Sequence, residues 1–104
     1  MGRKGGKAHP HDPVVRAAFA RVMVELRGKR GRKGYLSQEA VAAKSGYHEK
    51  YIGLLERRKN TPTLTAVLEI AFALNISPLS LVGRVRKLLP KFKHLERKVR
   101  DSQS

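Results

Sequence analysis

The sequence predicts an all-α chain of five helices followed by a basic C-terminal helical arm. Three observations carry this. Apolar residues recur at i, i+3, i+4 and i+7 in successive segments, and no stretch alternates as a half-buried strand does. Four of the segments are also preceded by residues that open helices: Asp12-Pro13, Ser37, Thr63 and Ser77-Pro78.

The first helix is expected to run from Asp12 or Pro13 to about Arg27, with Asp12 as N-cap and Pro13 at the first helical position, where its missing N–H costs nothing. Phe19, Val22, Met23 and Leu26 then form one buried stripe. Before it, residues 1–11 read as a disordered, basic, glycine-rich tail.

The second helix starts after Ser37, whose hydroxyl can accept from the free N–H groups of the first turn. It carries Val41 and Ala42 inward and stops at Gly46, because the residue after a helix end commonly takes a positive φ that glycine adopts cheaply. A third helix starts at His48, with Glu49 complementing its dipole. Tyr51 or Ile52 and then Leu55 form its apolar side, which leaves His48, Glu49, Lys50, Gly53, Leu54, Arg57 and Arg58 on or near the open face. Two short helices around a glycine turn are the helix-turn-helix unit, whose second helix enters the major groove of DNA.

The fourth helix follows Thr63 and is expected to bury Leu64, Val67, Leu68, Ala71 and Leu74, ending near Asn75. The fifth starts at Ser77-Pro78 and carries Leu79, Val82, Val85 or Arg86, and Leu89. Pro90 should end or kink it, and Phe92, Leu95 and Val99 beyond it again have helical spacing. The domain is accordingly placed at 12–83, with 84–104 a basic C-terminal extension.

These residues resemble the Cro and phage-repressor-like helix-turn-helix proteins, the XRE family, and hence a lambda-repressor-like fold. The resemblance rests on Ser37-Gln38-Glu39, Val41-Ala42, Ser45-Gly46, Tyr51-Ile52, Leu55-Glu56-Arg57 and Pro62-Thr63-Leu64. It continues through Leu68, Ile70, Ala71, Ala73 and Leu74 to Ile76-Ser77-Pro78-Leu79, and upstream into Val22 to Arg27. Two departures stand out: a longer, basic link from Arg27 to Tyr35, and Arg58 where the family usually has glycine.

The resemblance implies DNA contacts. Gln38 matches a backbone-holding position, where its amide would donate to a phosphate; a solvent-exposed helix-start residue is the plain alternative. Glu49, Lys50 and Leu54 match base-reading positions, with His48 beside them. Lys50 suits guanine O6/N7, Glu49 cytosine N4, and Leu54 a thymine methyl. Glu49 could instead serve only the helix dipole, and Leu54 a core or an interface. Arg57, Arg58 and Lys59 are placed on phosphates beyond the recognition helix. Glu56 is read as structural, as the family keeps an acid there. Gly53, unfavourable in mid-helix by about 1 kcal/mol against alanine, implies close approach of DNA backbone or of a neighbouring helix.

Charge agrees with this. The 104 residues carry a formal net charge of +15. Arg27, Lys29, Arg30, Arg32 and Lys33 are expected to fill a loop after the first helix, with Arg30, Arg32 and Lys33 as candidate phosphate contacts or a minor-groove arm. Arg84, Arg86, Lys87, Lys91, Lys93, Arg97, Lys98 and Arg100 crowd the C-terminal end. An isolated charge run is usually a solvated face; beside a helix-turn-helix, a polyanion becomes the default partner.

Enzymatic readings fit poorly. There is no cysteine, so thiol nucleophiles, zinc thiolates and disulfides are excluded. His9, His11, His48 and His94 form no metal-ligand pattern, and Gly28, Gly31 and Gly34 lack the context of a phosphate loop. No cofactor is expected. No signal peptide or membrane span is recognised, so a cytoplasmic protein is expected.

The sequence thus points to a sequence-specific transcriptional regulator, with repression the commoner family outcome. Its expected partner is double-stranded DNA with a two-fold operator, bound by a homodimer whose candidate surface is Leu79, Val82, Val85 and Leu89; the alternative is that these residues simply close the monomer core. Alternatives are an antitoxin with a toxin as protein partner, a restriction-modification controller protein, a nonspecific nucleoid or RNA-binding protein, and a protein-interaction adaptor that keeps only the fold.

Overall fold

The computed structural model describes residues 9–30 and 36–89. The helices are α1 (Asp12–Arg30), α2 (Gln38–Ser45), α3 (Glu49–Glu56), α4 (Leu64–Ala73) and α5 (Pro78–Lys87), and no strand occurs among the described residues. The tail before His9, Arg32 and Lys33 of the basic loop, and the arm bearing Phe92, Leu95 and Val99 lie outside the described residues, as does the side chain of Arg30.

Three expected caps form. Ser37 Oγ accepts from the Ala40 N–H at 3.0 Å, Thr63 Oγ1 from Ala66 at 3.0 Å, and Ser77 Oγ from Leu79 at 3.2 Å. Helix α1 differs from expectation at both ends. Its first bond is Val15 N–H to the His11 carbonyl, 3.1 Å, so Asp12 lies inside the first turn and accepts from the His9 N–H at 2.9 Å instead of capping its own helix. At the other end it continues past Arg27 to Arg30, and Arg27 is helical rather than part of a loop.

Helix α1 packs on α3 and α5, while α2 packs on α3 and α4. The stripe of Phe19, Val22, Met23 and Leu26 is buried as expected, against Val41, Ile52 and Leu55. Leu26, Ile52, Leu55, Ile70, Leu74 and Leu81 are each at most 1% exposed. At about 1.5–3 kcal/mol for each such side chain, these residues hold the fold and are unavailable to a ligand.

The phase of α4 departs from expectation. Its inward face is Ala66, Ile70, Ala71, Ala73 and Leu74, whereas Leu64 and Leu68, expected to be buried, are 73% and 46% exposed, and Phe72 is 76% exposed. In LTAVLEIAFA the only polar residues are Thr65 and Glu69, one turn apart, and both lie on the exposed face with Leu68 and Phe72; they were the signal for which side turns outward. Helix α5 is anchored by Leu81. Of the stripe expected on its surface, Leu79 is 86% and Val82 49% exposed, Val85 is half-buried against the core, and Leu89 is buried. Leu89 therefore closes the monomer core and is no surface residue. Among the described residues no single helix is long and apolar enough to cross a membrane; α4 and α5 would qualify only jointly, and their axes bend by 110°.

Candidate nucleic-acid interface

Helices α2 and α3 meet through a turn fixed by two local devices. Gly46 takes φ 83°, and its N–H closes α2 on the Ala42 carbonyl at 3.0 Å. A Cβ there would meet nothing within 4 Å, so backbone handedness alone favours glycine. His48 then caps α3: its Nδ1 accepts from the Lys50 N–H at 3.0 Å. The expected start of the helix is thus explained by the histidine side chain itself.

Inside α3, Ile52 and Leu55 fix the helix to the core. Tyr51 is half-buried, its ring 4.9 Å from that of Tyr47 and inclined by 32°. Burial pushes the Tyr51 hydroxyl above its ordinary pKa, Tyr47 adds to the rise, and the Thr63 backbone partly offsets it. His48, Glu49 and Lys50 project as exposed residues from the first turn of α3, whereas Leu54 is partly buried. Helix α3 is held from behind and presents a polar, charged front.

The far end of α3 is closed by a Schellman turn. The Lys59 N–H reaches the Leu54 carbonyl at 2.9 Å and the Arg58 N–H that of Leu55 at 3.2 Å. Arg58 adopts φ 64°, the left-handed conformation that the family's usual glycine would take. The arginine departure therefore leaves the helix end in place and strains it. Arg57, Arg58 and Lys59 are all exposed and cluster within this turn.

A buried polar hub joins the two motif helices to α1. The Glu56 carboxylate accepts from Arg27 Nε at 2.7 Å, Arg27 Nη2 at 2.8 Å and Gln38 Nε2 at 2.7 Å. The Arg27 and Glu56 side chains are only 8% and 6% exposed. Arg27 Nη1 also donates to the Leu36 carbonyl at 3.0 Å, and the Leu36 N–H returns to the Arg27 carbonyl at 2.8 Å. Arg27 is thus a structural counter-charge rather than part of a phosphate-tracking loop, and the structural reading of Glu56 holds. Ala20, Met23 and Arg27 fall at i, i+3 and i+7, and that register was the available signal. Gln38 is half-buried, with one amide hydrogen committed to Glu56. A second link missed by sequence reasoning, Arg16 Nε to Thr61 Oγ1 at 2.7 Å, ties α1 to the segment before α4.

The geometry thus shows two short helices around a glycine turn, the second presented outward. The helix-turn-helix family model matches residues 26–81, more than half of the chain. The chain belongs to this helix-turn-helix family.

Among the relatives of this helix-turn-helix protein is the uncharacterized HTH-type transcriptional regulator y4dJ of Sinorhizobium fredii (strain NBRC 101917 / NGR234). It is 39% identical over 69 residues, 66% of this chain and 79% of the relative. Control protein C.SmaI of Serratia marcescens is 45% identical over 49 residues, 47% of this chain and 58% of that one. The crystal structure of the restriction-modification controller protein C.AhdI from Aeromonas hydrophila superposes with a TM-score of 0.57 at 36% identity, over 64% of this chain and 94% of its own. The resemblance to the XRE family and the all-α fold are both borne out, and DNA-binding transcriptional regulation is the function of the family.

Proposed function

We propose that this helix-turn-helix protein is a sequence-specific regulator that binds a two-fold operator in double-stranded DNA as a homodimer and represses transcription by occupying the DNA. The exposed first turn of α3, bearing His48, Glu49 and Lys50 and followed at its far end by Arg57, Arg58 and Lys59, is the observation that carries this reading. His48, Glu49 and Lys50 would read base edges, with Leu54 adding an apolar contact from its partly buried position. Gln38, Arg57, Arg58 and Lys59 would hold phosphates, joined by Arg30, Arg32 and Lys33. The chain is non-enzymatic, needs no cofactor and acts in the cytoplasm.

The dimer surface on this reading includes Leu79 and Val82, whose exposure of 86% and 49% supports it, and extends to Phe72. Dimers of this motif place their recognition helices about 34–36 Å apart, one turn of DNA. Competition binding tests the proposal. At physiological salt a preferred duplex should displace the protein from random DNA by about a thousandfold or more. Equal affinity for both would defeat it.

A narrower reading, a restriction-modification controller protein, is favoured by the names of two similar proteins, C.SmaI and C.AhdI. It requires a methyltransferase gene beside the gene for this chain, with the preferred duplex in its control region. A neighbourhood without a methyltransferase removes this reading and leaves the broader one standing.

A further inference from the structure

Gly53 lies in the middle of α3 and is buried, where alanine would favour the helix. What keeps the position open is neither core nor turn geometry. A Cβ built on Gly53 would lie 3.0 Å from Arg57 Nη1, 3.7 Å from Arg57 Cζ and 3.5 Å from Gln38 Oε1. The Arg57 side chain therefore folds back one turn toward the N-terminus of α3, the direction in which helical side chains lean, and its guanidinium rests over the bare glycine. Gln38 is held by the bond of its Nε2 to Glu56 Oε1, 2.7 Å, and Glu56 is in turn fixed by Arg27.

We propose that Gly53 is a positioning residue: its missing side chain is the seat that holds the Arg57 guanidinium beside the Gln38 carboxamide, so that the two act as one preset clamp on a DNA phosphate. The clamp has the required donors. The guanidinium offers a fork of N–H groups matched to phosphate oxygens, and the Gln38 amide keeps one hydrogen not given to Glu56. Holding both before DNA arrives removes the ordering cost that a long, exposed arginine otherwise adds to each contact. A methyl group at Gly53 would push the flexible end of Arg57 aside by a few tenths of an ångström, whereas Gln38 Oε1 would stay at ordinary contact distance. The helix would tolerate the substitution and the clamp would not.

The inference rests on the DNA-contacting role proposed for α3, and its test separates the two. Wild type, Gly53→Ala, Arg57→Ala and the double variant are titrated with a random-sequence DNA duplex across a salt series, since a phosphate contact needs no operator. Gly53→Ala should melt higher than wild type by about 4 °C or more and yet bind the duplex about tenfold more weakly. Its salt slope should be lower by about 0.9, one phosphate. Arg57→Ala should show the same loss in affinity and slope, and the double variant should lose nothing further. Two outcomes overturn the seat while leaving DNA binding intact: a Gly53→Ala variant that binds as wild type does, or losses that add in the double variant, which would mean that the new methyl meets DNA directly. Failure of the wild type to bind any duplex would remove the DNA-contacting reading and this inference with it.

Discussion

Replacing Glu56 by alanine should destabilise the fold severely, because three of its contacts are lost at once in a place that water barely reaches. The carboxylate accepts from Arg27 Nε, Arg27 Nη2 and Gln38 Nε2 at 2.7, 2.8 and 2.7 Å, and the Arg27 side chain is 8% exposed. Removing one member of such a pair leaves its counter-charge buried and costs about 3–5 kcal/mol. That is a large share of the roughly 5–15 kcal/mol available to a domain, and it should lower Tm by at least about 12 °C for a chain of this size. In urea the midpoint should fall with the slope unchanged. The Arg27→Met, Glu56→Leu double variant removes both charges, and should unfold within about 1 kcal/mol of wild type or above it. It would nonetheless bind DNA more weakly, because Gln38 loses the acceptor that orients it. A Glu56→Ala variant less than about 1 kcal/mol below wild type, or a double variant as unstable as the single one, would refute this account of the hub.

Arg58→Gly should raise stability by about 1 kcal/mol by relieving the left-handed conformation, while lowering the salt slope of DNA binding by about 0.9 through the lost charge; calorimetry and a salt series check the two halves. His48→Ala should cost about 0.5–1 kcal/mol in denaturant unfolding, since it removes the Nδ1 acceptor from the Lys50 N–H, and His48→Ser should recover most of it. If the proposed dimer forms through this face, Phe72→Glu with Leu79→Glu should yield a folded monomer in sedimentation, because both side chains are exposed in the single chain; a dimer left unchanged would place the interface elsewhere.

Much of the architecture was legible because local chemistry and tertiary packing agree in it. Ser37, Thr63 and Ser77 cap where hydroxyl chemistry predicts, Gly46 turns where handedness requires it, and Phe19, Val22, Met23 and Leu26 bury one clean stripe. What was not legible had a physical reason in each case. In α4 the phase was marked by only two polar residues, Thr65 and Glu69, and the many apolar positions around them masked the exposed face that also carries Leu68 and Phe72. The charge of Arg27 drew it into a basic run, although its register places it on the buried face. Asp12 looked like a cap, but the first helical carbonyl belongs to His11. In the candidate site, the exposed positions of His48, Glu49, Lys50 and Arg57 followed from helical spacing. The i, i+4 spacing of Gly53 and Arg57 was also there to be read, but the approach of Gln38 to the same spot was not, because it depends on how α2 packs on α3.

Selection of duplexes from a random pool, run in parallel on the wild type and on Lys50→Ala, tests the central claim most directly. A dimer reading DNA through α3 should enrich a two-fold consensus with half-sites about 10–10.5 base pairs apart, and Lys50→Ala should change the preferred base at one position in each half-site. A pool that gains no consensus, or a consensus that Lys50→Ala leaves untouched, would contradict the assignment of sequence reading to the first turn of α3.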